Sequence, residues 1–204
     1  MLGNPIWQKI IECMNLITRL KHGISIFLHY YVRPNTSRLG YFGKNAMLGI
    51  PADLKNPKNI YLHDYARIGR RSTIMTMGNS KFIMKRGCLT AEGLTVVTSN
   101  HQQRIGEYLS GGNEDNTYKD IIVEEDVWIG INVTLLQGAH IGRGAIIGAC
   151  SVVTKEIPPY AIAVGNPAKV IKFKWSIDEI MEHEKLLYAE GERYTRSELE
   201  EFRK

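Results

Sequence analysis

From Val123 onward an aliphatic side chain returns at every sixth position: Val123, Ile129, Leu135, Ile141, Ile147 and Val153. Four residues after each stands a second small or aliphatic residue, Val127, Val133, Ala139, Ala145, Ser151 and Ile157, and glycine follows several of the first set, at 130, 142 and 148. Neither the helical period of 3.6 nor strand alternation sustains such a pattern. It suits a parallel β-helix, in which each short strand sends one residue inward before the chain bends and three strands make a triangular coil. Coils of that kind stack at the ~4.8 Å spacing of paired strands. A fainter copy lies upstream in the pairs Phe42/Ala46, Leu48/Ala52, Leu62/Ala66, Ile68/Ser72, Ile74/Gly78, Ile83/Gly87 and Leu89/Gly93. It loses register at residues 54–60 and 79–82, which read as irregular corners.

The ends follow other rules. Ile6, Trp7, Ile10, Ile11, Met14 and Ile17 fall at helical spacing and predict an amphipathic helix over residues 5–21. Residues 24–32 read as a strand or second helix leading into the coils. Past Pro167 the period stops, and Ile177, Ile180, Met181 and Leu187 predict a helix beginning after Ser176, with Glu179 placed to complete a capping box. Both ends suit caps for a solenoid whose terminal coils would otherwise expose strand edges. The alternative for the first helix, given Trp7 and the basic Arg19, Lys21 and His22, is contact with a membrane surface. The chain thus divides into a capping segment (1–40), the β-helix (41–172) with a protruding loop (100–120), and a helical C-terminal segment (173–204), a mainly β architecture.

Composition narrows the setting. The 204 residues are 44% hydrophobic and 23% charged, ordinary for a globular chain, with a net charge of +5 that leaves nucleic acid, anionic lipid or a phosphorylated ligand open. Basic residues lack the aromatic interleaving of nucleic-acid modules, so no nucleic-acid partner is expected. Glu12, Arg19 and Lys21 interrupt any signal-peptide core, and Cys13, Cys88 and Cys150 make neither a disulfide framework nor a metal-ligand pair. A cytoplasmic protein of a reducing compartment is expected. The hexads break between Thr98 and Asp120, where the chain turns polar and Gly-containing; long loops inside compact repeats are usually functional or disordered. His101 opens this break directly after the apolar run 94–97, where an imidazole suits a general base, or is a surface histidine with no role.

The runs Val127-Trp128-Ile129-Gly130, Ile141-Gly142, Ile147-Gly148-Ala149, Ser151-Val152-Val153-Thr154-Lys155 and Gly165-Asn166-Pro167-Ala168-Lys169-Val170-Ile171-Lys172 resemble the hexapeptide-repeat acyltransferases. The resemblance covers residues 42–174 and lies closest to the sugar and polysaccharide O-acetyltransferases. It implies a left-handed β-helix, acetyl-CoA as co-substrate, a homotrimer with sites between neighbouring solenoids, and a saccharide acceptor in surface-polysaccharide metabolism.

The same resemblance makes His101 the base that deprotonates the acceptor hydroxyl; a base of this kind works better with its far nitrogen oriented, for which Glu92, Asn100 or a backbone carbonyl are the candidates. It places Ala149, Thr154 and Lys155 along the pantetheine arm of CoA and Lys169 and Lys172 at the nucleotide's phosphates. Trp128 reads as a wall of the acyl end or as a buried corner residue, and Cys150 as a structural thiol. Rival readings are a zinc carbonic anhydrase, for which His63, His101 and His140 lack the close histidine pair, so that no metal is expected; a drug-modifying acetyltransferase, which Asn100-His101 resembles; an amino-sugar N-acetyltransferase; and a non-catalytic scaffold, which has no need of the Gly165–Lys169 run.

Overall fold

A computed structural model describes residues 16–28, 36–108 and 116–204. The six-residue period becomes about six stacked coils, over residues 41–55, 60–75, 82–97, 121–136, 140–153 and 156–164. They build three parallel sheets, opened respectively by Tyr41–Phe42, Met47–Leu48 and Ala52–Lys55. Each inward row is nearly dry: in the first sheet Leu62, Met84, Val123 and Ile141 stack in register at 0% exposure. All twelve positions of the repeat from Val123 to Ile157 are buried. Adjacent coils are stitched through the backbone, as where Trp128 N–H donates to the Ala145 carbonyl at 3.0 Å and Thr134 N–H to Ser151 at 2.9 Å.

The corners require left-handed backbone, which Asp126, Asn132, Cys150 and Tyr160 adopt at φ 55 to 59°. At Gly93 (φ +76°) a Cβ would lie 2.2 Å from Asn132 Oδ1, so conformation and space both call for glycine.

The upstream register differs from expectation in the third coil. Ile83 and Leu89 face outward, and the inward residues are Phe82, Met84, Cys88, Thr90, Leu94 and Val96. The corner before Phe82 is longer than a hexad allows, and the period resumes one residue later on Met84, Thr90 and Val96. A polar residue at a core position disguised the slip. Thr90 is 3% exposed, with Oγ1 accepting from Gly69 N–H and donating to the Ala91 carbonyl, both at 3.0 Å.

Residues Lys169–Phe173, beyond the repeat, turn back as an antiparallel strand on Ala161–Val164. Helix α2 (Ile177–Leu187) then starts at Ser176 with the expected capping box, and α3 (Arg196–Glu201) starts with a second one at Thr195 and Glu198. These helices close the last coil around Tyr160, Ile180 and Leu199. The closure carries a buried carboxylate. Glu184, 1% exposed, accepts from Arg143 Nη1 at 2.9 and 3.2 Å, from the Tyr160 hydroxyl at 2.5 Å and from Tyr194 N–H at 3.3 Å. At the other end, α1 is Leu16–Phe27. It absorbs the start of the segment 24–32 expected as a separate element. Residues 5–15 of the expected helix, with Cys13, and residues 29–32 lie outside the described residues. Every described side chain of α1 is exposed, so among the described residues the helix does not cap the first coil. No described helix is long and apolar enough to cross a membrane.

The register makes a direct prediction. Met84→Ala should cost about 2–5 kcal/mol in chemical denaturation, and Ile83→Ala well under half as much. The reverse order would refute the register of the third coil.

Candidate active site

The break in the repeat leaves the solenoid at the exit of the third coil. Strand Ser99–His101 pairs antiparallel with Asn116–Tyr118, His101 opposite Asn116 and Ser99 opposite Tyr118, so a hairpin stands on the coil edge. Residues 109–115 of the loop lie outside the described residues. Thr98 fixes the hairpin's base. Its buried Oγ1 accepts from Met77 N–H at 3.0 Å and lies 2.6 Å from Ser80 Oγ, while its carbonyl accepts from Lys119 N–H at 3.1 Å. On the outer side Gln137 of the fourth coil donates to Thr117 Oγ1 at 3.1 Å. A loop position has become a fixed one.

His101 is exposed, and among the described residues its side chain has no hydrogen-bonding partner. Neither expected orienting residue is seen to hold it: Glu92 pairs with Arg71, and the Asn100 carbonyl accepts from Thr117 Oγ1 at 3.4 Å. In an antiparallel pair His101, Asn116, Ser99 and Tyr118 share one face, with diagonal neighbours such as His101 and Tyr118 ~7–8 Å apart. On that face Tyr118 meets Gly78, Asn79, Ser80 and Asp120 around an open cavity of about 360 Å³. The tyrosine ring lies flat over Gly78, where a Cβ would come within 3.3 Å of three ring atoms. Asp120 Oδ1 accepts from Lys81 N–H at 2.8 Å and so braces the same corner. An aromatic ring, an amide and a carboxylate thus line this open hollow, and the accessible imidazole stands on the same face of the hairpin as the tyrosine. None of these cavity residues reads as functional from sequence: Gly78 reads as a position of the repeat, and residues 79–82 and Asp120 only as places where the hexads fail.

The expected CoA-contacting residues divide over two regions. Thr154 and Lys155 leave the third sheet in the fifth coil, two coils beyond His101 on the same edge, ~10 Å along the axis at ~4.8 Å per coil. Both are exposed, as is Ala149 at the preceding corner. Lys169 opens the antiparallel strand opposite Val164, next to Ala168, whose N–H donates to the Val152 carbonyl at 2.8 Å. Trp128 and Lys172 lie elsewhere, on the outer face of the second sheet, in one row with Ile146 and Ile162. Trp128 is 52% exposed, which rules out the buried-corner alternative. Cys150 is exposed at a left-handed corner, in contrast to the structural thiol expected; Cys88 is the buried one, its thiol pushed up to about 12 by burial. No single groove among the described residues collects all seven.

The other histidines are dispersed. The His63 and Tyr41 rings meet at a 47° tilt with centroids 5.1 Å apart, and His140 Nε2 lies 2.9 Å from Glu124 Oε1 on the first sheet. Among the described residues no three His, Cys, Asp or Glu side chains are grouped to hold a metal. Glu124 also receives Lys85 Nζ at 2.5 Å. Burial pulls this carboxyl upward, but the hydrogen bonds from Lys85 and His140 outweigh it and hold Glu124 below its ordinary 4.5.

Residues 120–155 match the family model described as bacterial transferase hexapeptide (six repeats). A curated relative named "Probable macrolide acetyltransferase" from Lysinibacillus sphaericus is 41% identical over 101 residues, 49% of this chain and 56% of its own, so the chain spans little more than half of that relative's length. Among solved structures, a maltose O-acetyltransferase from Clostridium difficile 630 is similar with a TM-score of 0.63 at 23% identity, covering 73% of this chain and 82% of that one. A galactoside acetyltransferase in complex with coenzyme A gives a TM-score of 0.64 at 22% identity, over 87% of this chain and 88% of its own. At such identities the structural likeness is one of fold.

A group whose folded-state pKa is depressed contributes stability above its ordinary value and loses it as pH falls through the folded value. Stability of this chain should therefore decline as pH drops below about 4.5. In Glu124→Gln that portion of the slope should disappear, read as the change in thermal midpoint with pH. An unchanged slope would show that ionisation of Glu124 is not linked to folding.

Proposed function

We propose that this chain, which carries the hexapeptide repeat of bacterial transferases, is an acetyl-CoA-dependent O-acetyltransferase that acts on a saccharide hydroxyl with His101 as general base. The observation that carries the reading is the hairpin at the exit of the third coil: it holds an accessible imidazole on the same face as the cavity of Tyr118, Asn79 and Asp120. A tyrosine ring beside an amide and a carboxylate suits a sugar, whose C–H face packs on an aromatic ring while its hydroxyls hydrogen-bond to polar groups. The hexapeptide match and the coenzyme A bound by the galactoside acetyltransferase support the donor.

In the proposed reaction a neutral ring nitrogen of His101 takes the acceptor hydroxyl's proton as the oxygen attacks the thioester carbonyl. The tetrahedral intermediate collapses with cleavage of the C–S bond, and the imidazolium returns the proton to the departing CoA thiolate. Base catalysis of this kind contributes ~10²–10⁴-fold, and alignment of the two substrates much of the rest. Thr154, Lys155 and Ala149 are assigned to the pantetheine arm, where a small residue at 149 lets the arm lie against the coil. Lys169 and Lys172 are assigned to the phosphates as point charges, and Trp128 to the cleft wall.

Lys172 and Trp128 occupy a different sheet from the edge that bears His101, so we assign the complete site to the cleft between two solenoids of a homotrimer. We place the protein in the cytoplasm, where acetyl-CoA is made, acting in surface-polysaccharide metabolism. A second reading, a xenobiotic acceptor, is favoured by the name of the Lysinibacillus relative and by the dipeptide Asn100-His101.

His101→Ala should lower kcat by at least ~10²-fold while leaving acetyl-CoA affinity by calorimetry and the thermal midpoint nearly unchanged. A variant that retains most of its turnover would sink the base assignment. Lys169→Ala or Lys172→Ala should raise the KM for acetyl-CoA with little change in kcat. Tyr118→Ala should instead raise the KM for a saccharide acceptor and leave the donor's KM alone; equal shifts in both would place Tyr118 outside the acceptor subsite.

A further inference from the structure

The basic excess of the chain is confined to one end. Residues 1–60 hold eight Lys and Arg against two Asp and Glu, whereas the whole chain holds 26 against 21. The 144 residues that follow therefore carry one more acid than base. Within this end, Lys21 on α1 and Arg38, Lys44, Lys55 and Lys58 around the first coil are all exposed. Among the described residues none of the five has an ion-pair partner.

The same end is apolar where solvent meets it. On α1, Leu20, Ile24 and Phe27, with Leu28 just past its end, recur at the spacing of one helical face and are 56, 57, 56 and 44% exposed. Thr18, Lys21, His22 and Ser25 take the other side of the helix together with Ile26, 45% exposed, and no acidic residue occurs between Leu16 and Leu28. In the first coil the core row of the first sheet stays open: Phe42 is 36% exposed, whereas Leu62 and Met84, which continue its row, are at 0%. The opposite end of the solenoid is closed by α2 and α3. An exposed apolar helix face flanked by cations and lacking acids fits an interface that is apolar within and negative at its rim.

We propose that α1 and the first coil form a docking face for an anionic membrane surface, with Leu20, Ile24 and Leu28 entering the acyl boundary and Lys21, Lys44 and Lys58 meeting the lipid phosphates. A single basic amphipathic helix binds reversibly, and each Lys or Arg near the surface adds modest, salt-sensitive affinity. The occupant is argued from charge: an apolar face meant only for a second copy of this chain would bring its five unpaired cations toward the same five on its partner. The proposal rests on no assignment of the reaction.

The test is cosedimentation of the full chain with vesicles, either phosphatidylcholine alone or an equal mixture with phosphatidylglycerol. The chain should sediment with the mixed vesicles and not with phosphatidylcholine, and added salt should release it. Lys21→Glu combined with Lys58→Glu should weaken binding about tenfold or more. Leu20→Asp combined with Ile24→Asp should abolish it while the mass in solution and the thermal midpoint stay as in the parent. No partition to mixed vesicles would overturn the proposal, as would equal binding by the doubly acidic helix variant. A fall in mass for that variant would also overturn it, since the helix face would then be covered by a second copy.

Discussion

One inward side chain in every six, followed by a corner of left-handed backbone, is the constraint on which the molecule depends. Because each coil pairs through its backbone with the coils on either side, a residue gained or lost at one corner rotates the next strand's side chains to the wrong face. The inward rows are therefore dry and almost wholly aliphatic. The few polar residues among them, such as Thr76, Thr90, Thr98 and Ser151, hydrogen-bond to the backbone or to a neighbouring side chain at a corner. A hydroxyl left unbonded there would cost about 1–3 kcal/mol, and these pairings remove that cost. The same stacking converts sequence spacing into a ruler. Outward residues six apart belong to different sheets, and residues about a coil apart lie ~4.8 Å apart in one row.

The candidate site arises where that rule is suspended. Chain inserted between two coils has no row to join, so its backbone must find other partners, and here it pairs with itself as a hairpin. Thr98 makes the departure rigid at its root, since one buried hydroxyl and one carbonyl tie together Met77, Ser80 and Lys119. The imidazole of His101 is thereby presented from a fixed edge with its ring in solvent, an arrangement suited to a group that must meet two substrates. Strands two residues long are too short to supply such a projection without the solenoid beneath them.

The fold was legible because its period is written in aliphatic residues, and legible best where no polar residue stood in for one. From Val123 to Ile157 every inward position agrees with the pattern, whereas the third coil was read one residue early because Thr90 occupies a core position and Leu89 does not. The capping box at Ser176 was legible because its signal is local; the antiparallel return of Lys169–Phe173 was not, because pairing across a turn leaves no periodic trace. The position of His101 at a coil exit could be read from the end of the apolar run 94–97. The cavity beside it could not, since Gly78 and Asn79 come from the second coil's exit, Tyr118 and Asp120 from the far side of the insertion, and only folding brings them together.

The two ends of the rod solve the same problem by different means. At the C-terminus the last coil's edge is covered by two capped helices, and the desolvated Glu184 is held by a guanidinium, a phenol and a backbone N–H. Such a buried charge is costly if any partner is lost, which ties the helices to one position rather than adding much net stability. At the N-terminus the described helix leaves its apolar face in solvent and the first coil's row partly open, with cations in place of a cap. Four coil spacings, ~19 Å, separate the first coil from the fifth, which carries Thr154 and Lys155. That exceeds the ~8–10 Å screening length at physiological salt, whereas the hairpin edge at the third coil lies only two spacings, ~10 Å, from the open end and is screened from its charges only in part. Whatever the open end binds therefore orients the rod, and a stiff stack of paired coils is the element that fixes its distance from the hairpin edge.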